Sequence, residues 1–326
     1  MSGGAKLCRS GARAAQPADR CAGAGRGHQP LNFMRIVSLL PSATDIVAAL
    51  GAADQLVGVS HECDHPAARG RPILTRASVD PNADHAAIDA AVRDTLAEGR
   101  SLYQLDGTQL ASLQPDLVIT QALCDVCAVN YSTVERVVAS LDPAPDLIDL
   151  NPGGLQDILD DVRRVGRALG LEGAAASIIE QCRERLRNLR LPVRTMRVLA
   201  LEWLDPWFVG GHWVPEQIAL AGGTPVAGFP RCPSYTISPG QIATAERVDL
   251  VVVMPCGYDL DAAAALTEAY LDALRSVPAL QHAPIAAVDA NRFFSRPSPA
   301  VFDGIEVLAA LFARDDPRGR WVEFNP

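Results

Sequence analysis

Residues 34–51 read MRIVSLLPSATDIVAALG, and this stretch decides the fold. Arg35 to Leu40 is a short aliphatic, β-branched run, long enough for a buried strand and too short for a helix. Pro41 breaks it. Ser42 or Thr44 is then placed to cap a helix with Asp45 in its first turn, Ile46, Val47 and Leu50 as its apolar stripe, and Gly51 as its stop. The same order returns farther along. Met196 to Leu201 is a second strand, followed after a longer loop by Pro215 to Ala221 as a helix and by Gly222-Gly223. Two more echoes support a duplication: residues 114–121, QPDLVITQ, match 247–254, RVDLVVVM, and Leu147 to Leu150 match Ile285 to Asp289. Three matched strands in one order predict an α/β chain of two similar lobes.

A chain of 326 residues is long enough for two lobes, each with a core. Hydrophobic residues are 48% and charged residues 21%, as in ordinary globular proteins. The net charge of −9, with no basic stripe beyond the N-terminal tail, argues against a nucleic-acid partner. No run approaches the roughly 18 apolar residues of a membrane span.

Residues 1–33 are rich in Ala, Gly and Arg and lack the apolar core of a secretory signal. They read as a disordered or mis-called N-terminal extension, with Met34 as the true start. Without a signal the expected compartment is the cytoplasm, or the periplasm if the gene start is wrong. The N-terminal α/β lobe is expected over 34–171 and the C-terminal α/β lobe over 191–326. Between them, 172–190 reads as a connecting helix with Ile178, Ile179, Cys182, Leu186 and Leu189 on one side and Arg and Glu on the other. At about 1.5 Å per residue it would span roughly 28 Å, a rigid brace.

In open α/β sheets, ligands bind beyond the carboxyl ends of the strands. That rule selects Ser42 and Thr44, His61 to Asp64 and Cys124 to Cys127 from the first lobe. From the second it selects Trp203 to Trp213, Cys256 to Asp259 (with Tyr258) and Ser295 to Pro297. Three of the four tryptophans fall between 203 and 213, either covering a flat ligand or plugging the loop. Cys124-Asp125-Val126-Cys127 has the spacing of a metal or redox pair, with Cys63 and Cys256 as further thiolates; small buried residues at tight turns would read the same way. His61 and His212 fit a ligand contact or plain hydrogen bonding. Glu202, Asp205 and Glu216 fit acid–base work, solvation or helix capping. No phosphate loop, nucleophile elbow or zinc-protease helix is present, and nothing forces an enzyme.

Five segments taken together, SLLPSATDIVAALG, VGVSHECDHP, LASLQPDLVIT, VGGHWVPEQIALAGG and SRPSPAVFDGIEVLAAL, resemble the cobalamin and iron-siderophore periplasmic binding proteins, most closely the cobalamin-binding branch. The resemblance covers roughly residues 34 to 313. It implies two Rossmann-like lobes joined by a single long helix, a ligand cleft between them, and delivery of cobalamin or a related corrinoid or metal chelate to an ABC transporter permease. Carried onto this chain, it places Ser42, His61, Glu62, Cys63, Asp64 and Cys124 on the ligand from one lobe, and Trp207, His212, Trp213 and Arg296 from the other; Trp203 and Tyr258 join them from the strand-end rule. The competing expectation is a cytoplasmic metal-binding or redox protein using Cys63, Cys124 and Cys127, with a thiolate-bound metal.

Overall fold

The aliphatic strand that opens each echo has a parallel neighbour on both sides, and its central residues are buried. The computed structural model describes residues 33–79, 84–98, 101–121, 129–243, 247–315 and 319–325. In the first lobe, β1 (Ile36–Ser38), α1 (Pro41–Ala49), β2 (Leu56–Val59), β3 (Thr75–Ala77), α2 (His85–Ala97), β4 (Tyr103–Leu105), α3 (Gly107–Ser112), β5 (Leu117–Thr120), α4 (Tyr131–Ala139), β6 (Asp146–Asp149) and α5 (Leu155–Ala168) follow in order. The sheet runs β2-β1-β5-β6, every pair parallel. β3 and β4 form a separate antiparallel pair from which α2 projects.

α6 (Glu172–Arg187) leads to the second lobe. There β7 (Met196–Leu204), β8 (Trp207–Val209), α7 (Val214–Leu220), β9 (Gly223–Pro225), β10 (Tyr235–Thr236), α8 (Pro239–Ala243), β11 (Leu250–Val253), α9 (Leu260–Ala269), α10 (Leu271–Arg275), β12 (Ile285–Val288), α11 (Ala290–Phe293), α12 (Ala300–Ala313) and β13 (Trp321–Phe324) follow. The parallel strands β9-β7-β11-β12 repeat the order of β2-β1-β5-β6. Strand β7 outruns its neighbours, and its second half takes β8 as an antiparallel partner, while β13 closes the far edge.

The duplication extends to a side-chain device. The Asp116 carboxylate accepts from the Arg35 amide at 2.7 Å, and Asp249 accepts from the Arg197 amide at 2.9 Å. Each arginine turns its Nε back onto the chain before that aspartate, Arg35 to the Leu113 carbonyl and Arg197 to that of Arg247. The amide at the exposed start of each central strand is thus satisfied by a charged acceptor.

Two local expectations differ from what folds. Helix α1 starts at Pro41, with Leu40 as N-cap and no side-chain cap. Proline's fixed φ suits the first helical position and its missing N–H costs nothing there, so the helix begins earlier than a Ser42 or Thr44 cap would require. Both hydroxyls are buried within it. Helix α6 has 16 residues, about 24 Å. It ends at Arg187 rather than 190, as Asn188 leaves helical geometry ahead of Leu191-Pro192.

The lobes do not have wholly separate cores. One continuous cluster runs from Ile46 and Val47 on α1 through Ile158 and Val162 on α5 to Ala175 and Ile179 on α6. It continues through Ile218 on α7 to Ile305, Leu308 and Leu311 on α12. The other face of each sheet has its own cluster, around Val37, Leu39, Val118 and Val134 in the first lobe and Leu199, Leu201, Val251 and Ile285 in the second. Residues 34–326 accordingly form one compact unit. Among the described residues, no helix is long and apolar enough to cross a membrane.

Candidate functional site

The carboxyl ends of both parallel sheets carry the chemistry. Behind β1, Ser38, Thr44 and Cys63 make a buried hydroxyl–thiol chain: Thr44 Oγ1 donates to Ser38 Oγ at 2.8 Å and lies 3.1 Å from Cys63 Sγ, with Ser60 Oγ at 3.4 Å on the sulfur's other side. Ser42 is 2% exposed, and its Oγ has no partner among the described residues. After β2, His61 Nδ1 is 2.7 Å from Thr75 Oγ1, and its ring leans on Tyr103. Tyr103 in turn donates to Glu62 at 3.0 Å. Next in the same loop, Asp64 is held by Arg296 of the other lobe.

In the second lobe the β7–β8 hairpin splits the tryptophans. Trp203 is half-buried with its Nε1 on the Asp205 carbonyl at 3.0 Å. Trp207 is buried in the private core of that lobe. Trp213, also buried, donates from Nε1 to the Phe294 carbonyl at 2.7 Å. Gln217, fully buried, donates to the carbonyls of Phe293 at 3.1 Å and Val301 at 2.7 Å. Trp213 and Gln217 thereby tie down the segment that delivers Arg296. Gly304 belongs to the same lock: a Cβ there would meet the Phe293 carbonyl oxygen at 2.5 Å. His212 sits at φ +50, a conformation few side-chain-bearing residues adopt. Its amide donates to Cys232 and its carbonyl accepts from Arg231. Burial lowers its pKa and favours the neutral ring, and Nδ1 has no protein partner.

The lobes meet at three places around these loops. At one edge, Arg296 grips Asp64 with both nitrogens, at 2.5 and 2.8 Å, and Asn291 adds a third bond to the same carboxylate at 2.9 Å. This bidentate grip holds the Asp64 carboxyl below the usual carboxylate range. Nearby, burial pushes Asp45 up although Arg296 and a Ser298 hydrogen bond pull it down. Burial also works against the Arg296 charge, but Asp64 and Asp45 more than offset it.

In the second contact, Glu216 on α7 accepts from the Leu155 amide at the start of α5, at 2.7 Å, and Arg231 pairs with Asp157 at 2.9 Å. A carboxylate at a helix N-terminus is favourably placed. The third contact is aromatic. His85 at the start of α2 lies flat on Trp203, ring centroids 3.5 Å apart and 15° from parallel, with Tyr258 edge-on to both. His85 Nε2 is 3.0 Å from the Tyr258 hydroxyl.

The profile of the family described as "Periplasmic binding protein" matches residues 36–300. The chain belongs to the periplasmic binding protein family. The vitamin B12-binding protein of Vibrio cholerae serotype O1 is 23% identical over 285 residues, covering 85% of this chain and 88% of the relative. Three solved family structures share the fold. The periplasmic heme-binding protein HutB of Vibrio cholerae superposes with a TM-score of 0.62 at 20% identity, covering 86% of this chain and 99% of that one. The periplasmic vitamin B12 binding protein BtuF of the same organism gives 0.57 at 19%, covering 87% and 98%. A periplasmic heme binding protein from Pseudomonas aeruginosa gives 0.63 at 18%, covering 90% and 98%.

Within this family fold, the expected site residues separate into groups. Asp64, Trp203, Tyr258 and Arg296 come together where the lobes meet, and His61 and Cys63 lie on the loop that carries Asp64. Ser42 is buried and His212 half-buried, and each has a buried polar atom with no partner among the described residues. Trp207 and Trp213, expected on the ligand, are packed away here, 7% and 6% exposed, Trp207 in the second lobe's own core and Trp213 in the shared one.

The metal expectation is not favoured. Cys124 and Cys127 lie outside the described residues. Among those described, no three His, Cys, Asp or Glu side chains come together to hold an ion. Cys63 has hydroxyl neighbours, Cys256 is exposed, and burial pushes the Cys182 thiol up to about 11. Glu202 and Glu216 are engaged structurally, Glu202 by Ser234 and the Gly211 amide and Glu216 by α5.

Sequence reasoning missed His85, Asn291 and Tyr270. Nothing in the periodicity of α2 signals that its first residue reaches the other lobe. Another depression, of about 980 Å³, lies at the amino ends of the second lobe's strands beside Met196, Arg247, His282 and Phe312. That is the end of an α/β sheet where ligands do not collect.

Proposed function

We propose that this protein is the substrate-binding component of an ABC-type importer, holding a corrinoid such as cobalamin, or another planar metal macrocycle, between its lobes. The observation that carries this reading is the half-buried Trp203 face and the edge-on Tyr258, set with Arg296 where the strand ends of the two lobes meet. A broad conjugated ring suits an aromatic wall, and its amide or carboxylate fringe suits a guanidinium with carboxylate and amide neighbours. Relatives named for vitamin B12 and for heme share the fold and point to the same ligand class. The continuous core through α6 suits a protein that closes little on binding. Membership of the periplasmic binding protein family supports a periplasmic working compartment and a permease as partner.

The test is calorimetric titration of the chain from Met34 with cyanocobalamin, dicyanocobinamide, haemin and a ferric hydroxamate. One-to-one binding of a macrocycle at micromolar Kd or tighter, with the hydroxamate inert, is the expected result. Binding of the hydroxamate alone, or of none of the four, overturns the proposal.

A further inference from the structure

His85 has no role in the proposal above, yet it reaches from the first lobe onto the second. It is 4% exposed. Its ring covers the Trp203 indole at stacking distance, Tyr258 and Tyr270 close around it, and its buried Nδ1 has no partner among the described residues. The helix that carries it is weakly anchored. Among the described residues, no side chain of α2 joins any of the three core clusters, and Ile88, Ala91 and Val92 are only half-buried. The helix hangs from the small β3–β4 pair rather than from the main sheet. An element with so little apolar anchorage opens more readily than a core helix.

We propose that His85 is a built-in occupant of the ligand's stacking platform, and that the α2 arm must lift it off Trp203 before a flat ligand can bind. This rests on the reading of the protein as a macrocycle binder. The imidazole matches the indole face in orientation but covers only part of it, so a larger conjugated ring makes the better stack and displaces it. The His85 side chain thus sets a threshold: small planar molecules do not repay its removal, and broad ones do. Apparent affinity is lowered by the fraction of molecules in which the face is covered.

The experiment compares parent, His85→Ala and His85→Phe by titration with cyanocobalamin and haemin, alongside the tryptophan emission of each ligand-free protein. H85A uncovers the indole, so its emission shifts to the red, and it binds the macrocycle about three- to tenfold more tightly through a faster association rate. H85F keeps a flat ring on the indole and gains nothing. Equal or weaker binding by H85A, with the parent binding normally, overturns the occupant role. If no protein binds either macrocycle, the functional reading fails instead. An unchanged emission spectrum in H85A overturns the covering of Trp203 independently of any ligand.

Discussion

Replacing Asp161 with asparagine is expected to stabilise the protein at neutral pH and to remove a pH dependence. Asp161 lies on α5 with its side chain 7% exposed. One oxygen accepts from Arg164 at 2.9 Å, and the other is buried without a partner. Burial is the largest influence on it, outweighing Arg164, while Asp149 and Asp157 add to the rise, and the carboxyl is pushed up to about 6. In the unfolded chain it ionises near 4. Between those values the folded state holds the proton and the unfolded state has lost it, so stability falls as pH rises from about 4 to about 6. About two pH units at about 1.4 kcal/mol each amount to roughly 3 kcal/mol.

Asparagine keeps the acceptor for Arg164 and carries no charge to desolvate. Its amide takes the orphaned position, so the net gain at pH 7.5 is expected at about 1–3 kcal/mol, fading to nothing near pH 4. Urea unfolding of both proteins at half-unit intervals from pH 4 to 8 measures it. If Asp161→Asn is less stable than the parent at pH 7.5, or if the two curves run parallel, the charged pair with Arg164 is worth more than its burial costs and the reasoning is refuted.

Three further substitutions probe the frame around the cleft. Asp116→Ala and Asp249→Ala each strip the carboxylate from the amide that opens a central strand, so both are expected to cost about 1–3 kcal/mol, and by similar amounts; unequal losses in urea melts would contradict the idea that the two lobes repeat one device. Asp64→Asn breaks a pair whose carboxylate is 56% exposed, so the loss is expected below about 1 kcal/mol at pH 7 and to vanish in molar salt. Because Arg296 lowers the folded pKa of Asp64, that small contribution is present above the unfolded value near 4 and is lost as pH falls through the folded one, which acid titration of parent and variant will show.

The fold was legible because its signals are local and repeated. Buried parallel strands must be continuous apolar runs, and PDLV and VDLV announce the same strand twice, down to the aspartate that accepts from each arginine amide. The strand-end rule likewise picked out loops that do gather, Asp64 against Arg296 and Trp203 against Tyr258, since topology fixes where strand ends lie. What it could not rank was depth. Trp203, Trp207 and Trp213 look alike as a cluster, and only the tertiary fold, β8 pairing on β7 for Trp207 and α7 packing for Trp213, buries two of them while one stays half-buried. His85 was hidden for a different reason: its contacts are with residues more than a hundred positions away, and α2 carries no feature that points across the cleft. The early start of α1 shows a third limit, proline at the first helical position taking precedence over hydroxyl caps.

The central claim is that one ligand touches both lobes at once. Absorbance titration with cyanocobalamin and haemin of the parent, of His61→Ala from the first lobe and of Trp203→Ala from the second tests it directly. The parent is expected to bind one-to-one, and both variants to bind the same macrocycle more weakly, each by about fivefold or more. Binding that survives both substitutions unchanged would contradict a site between the lobes.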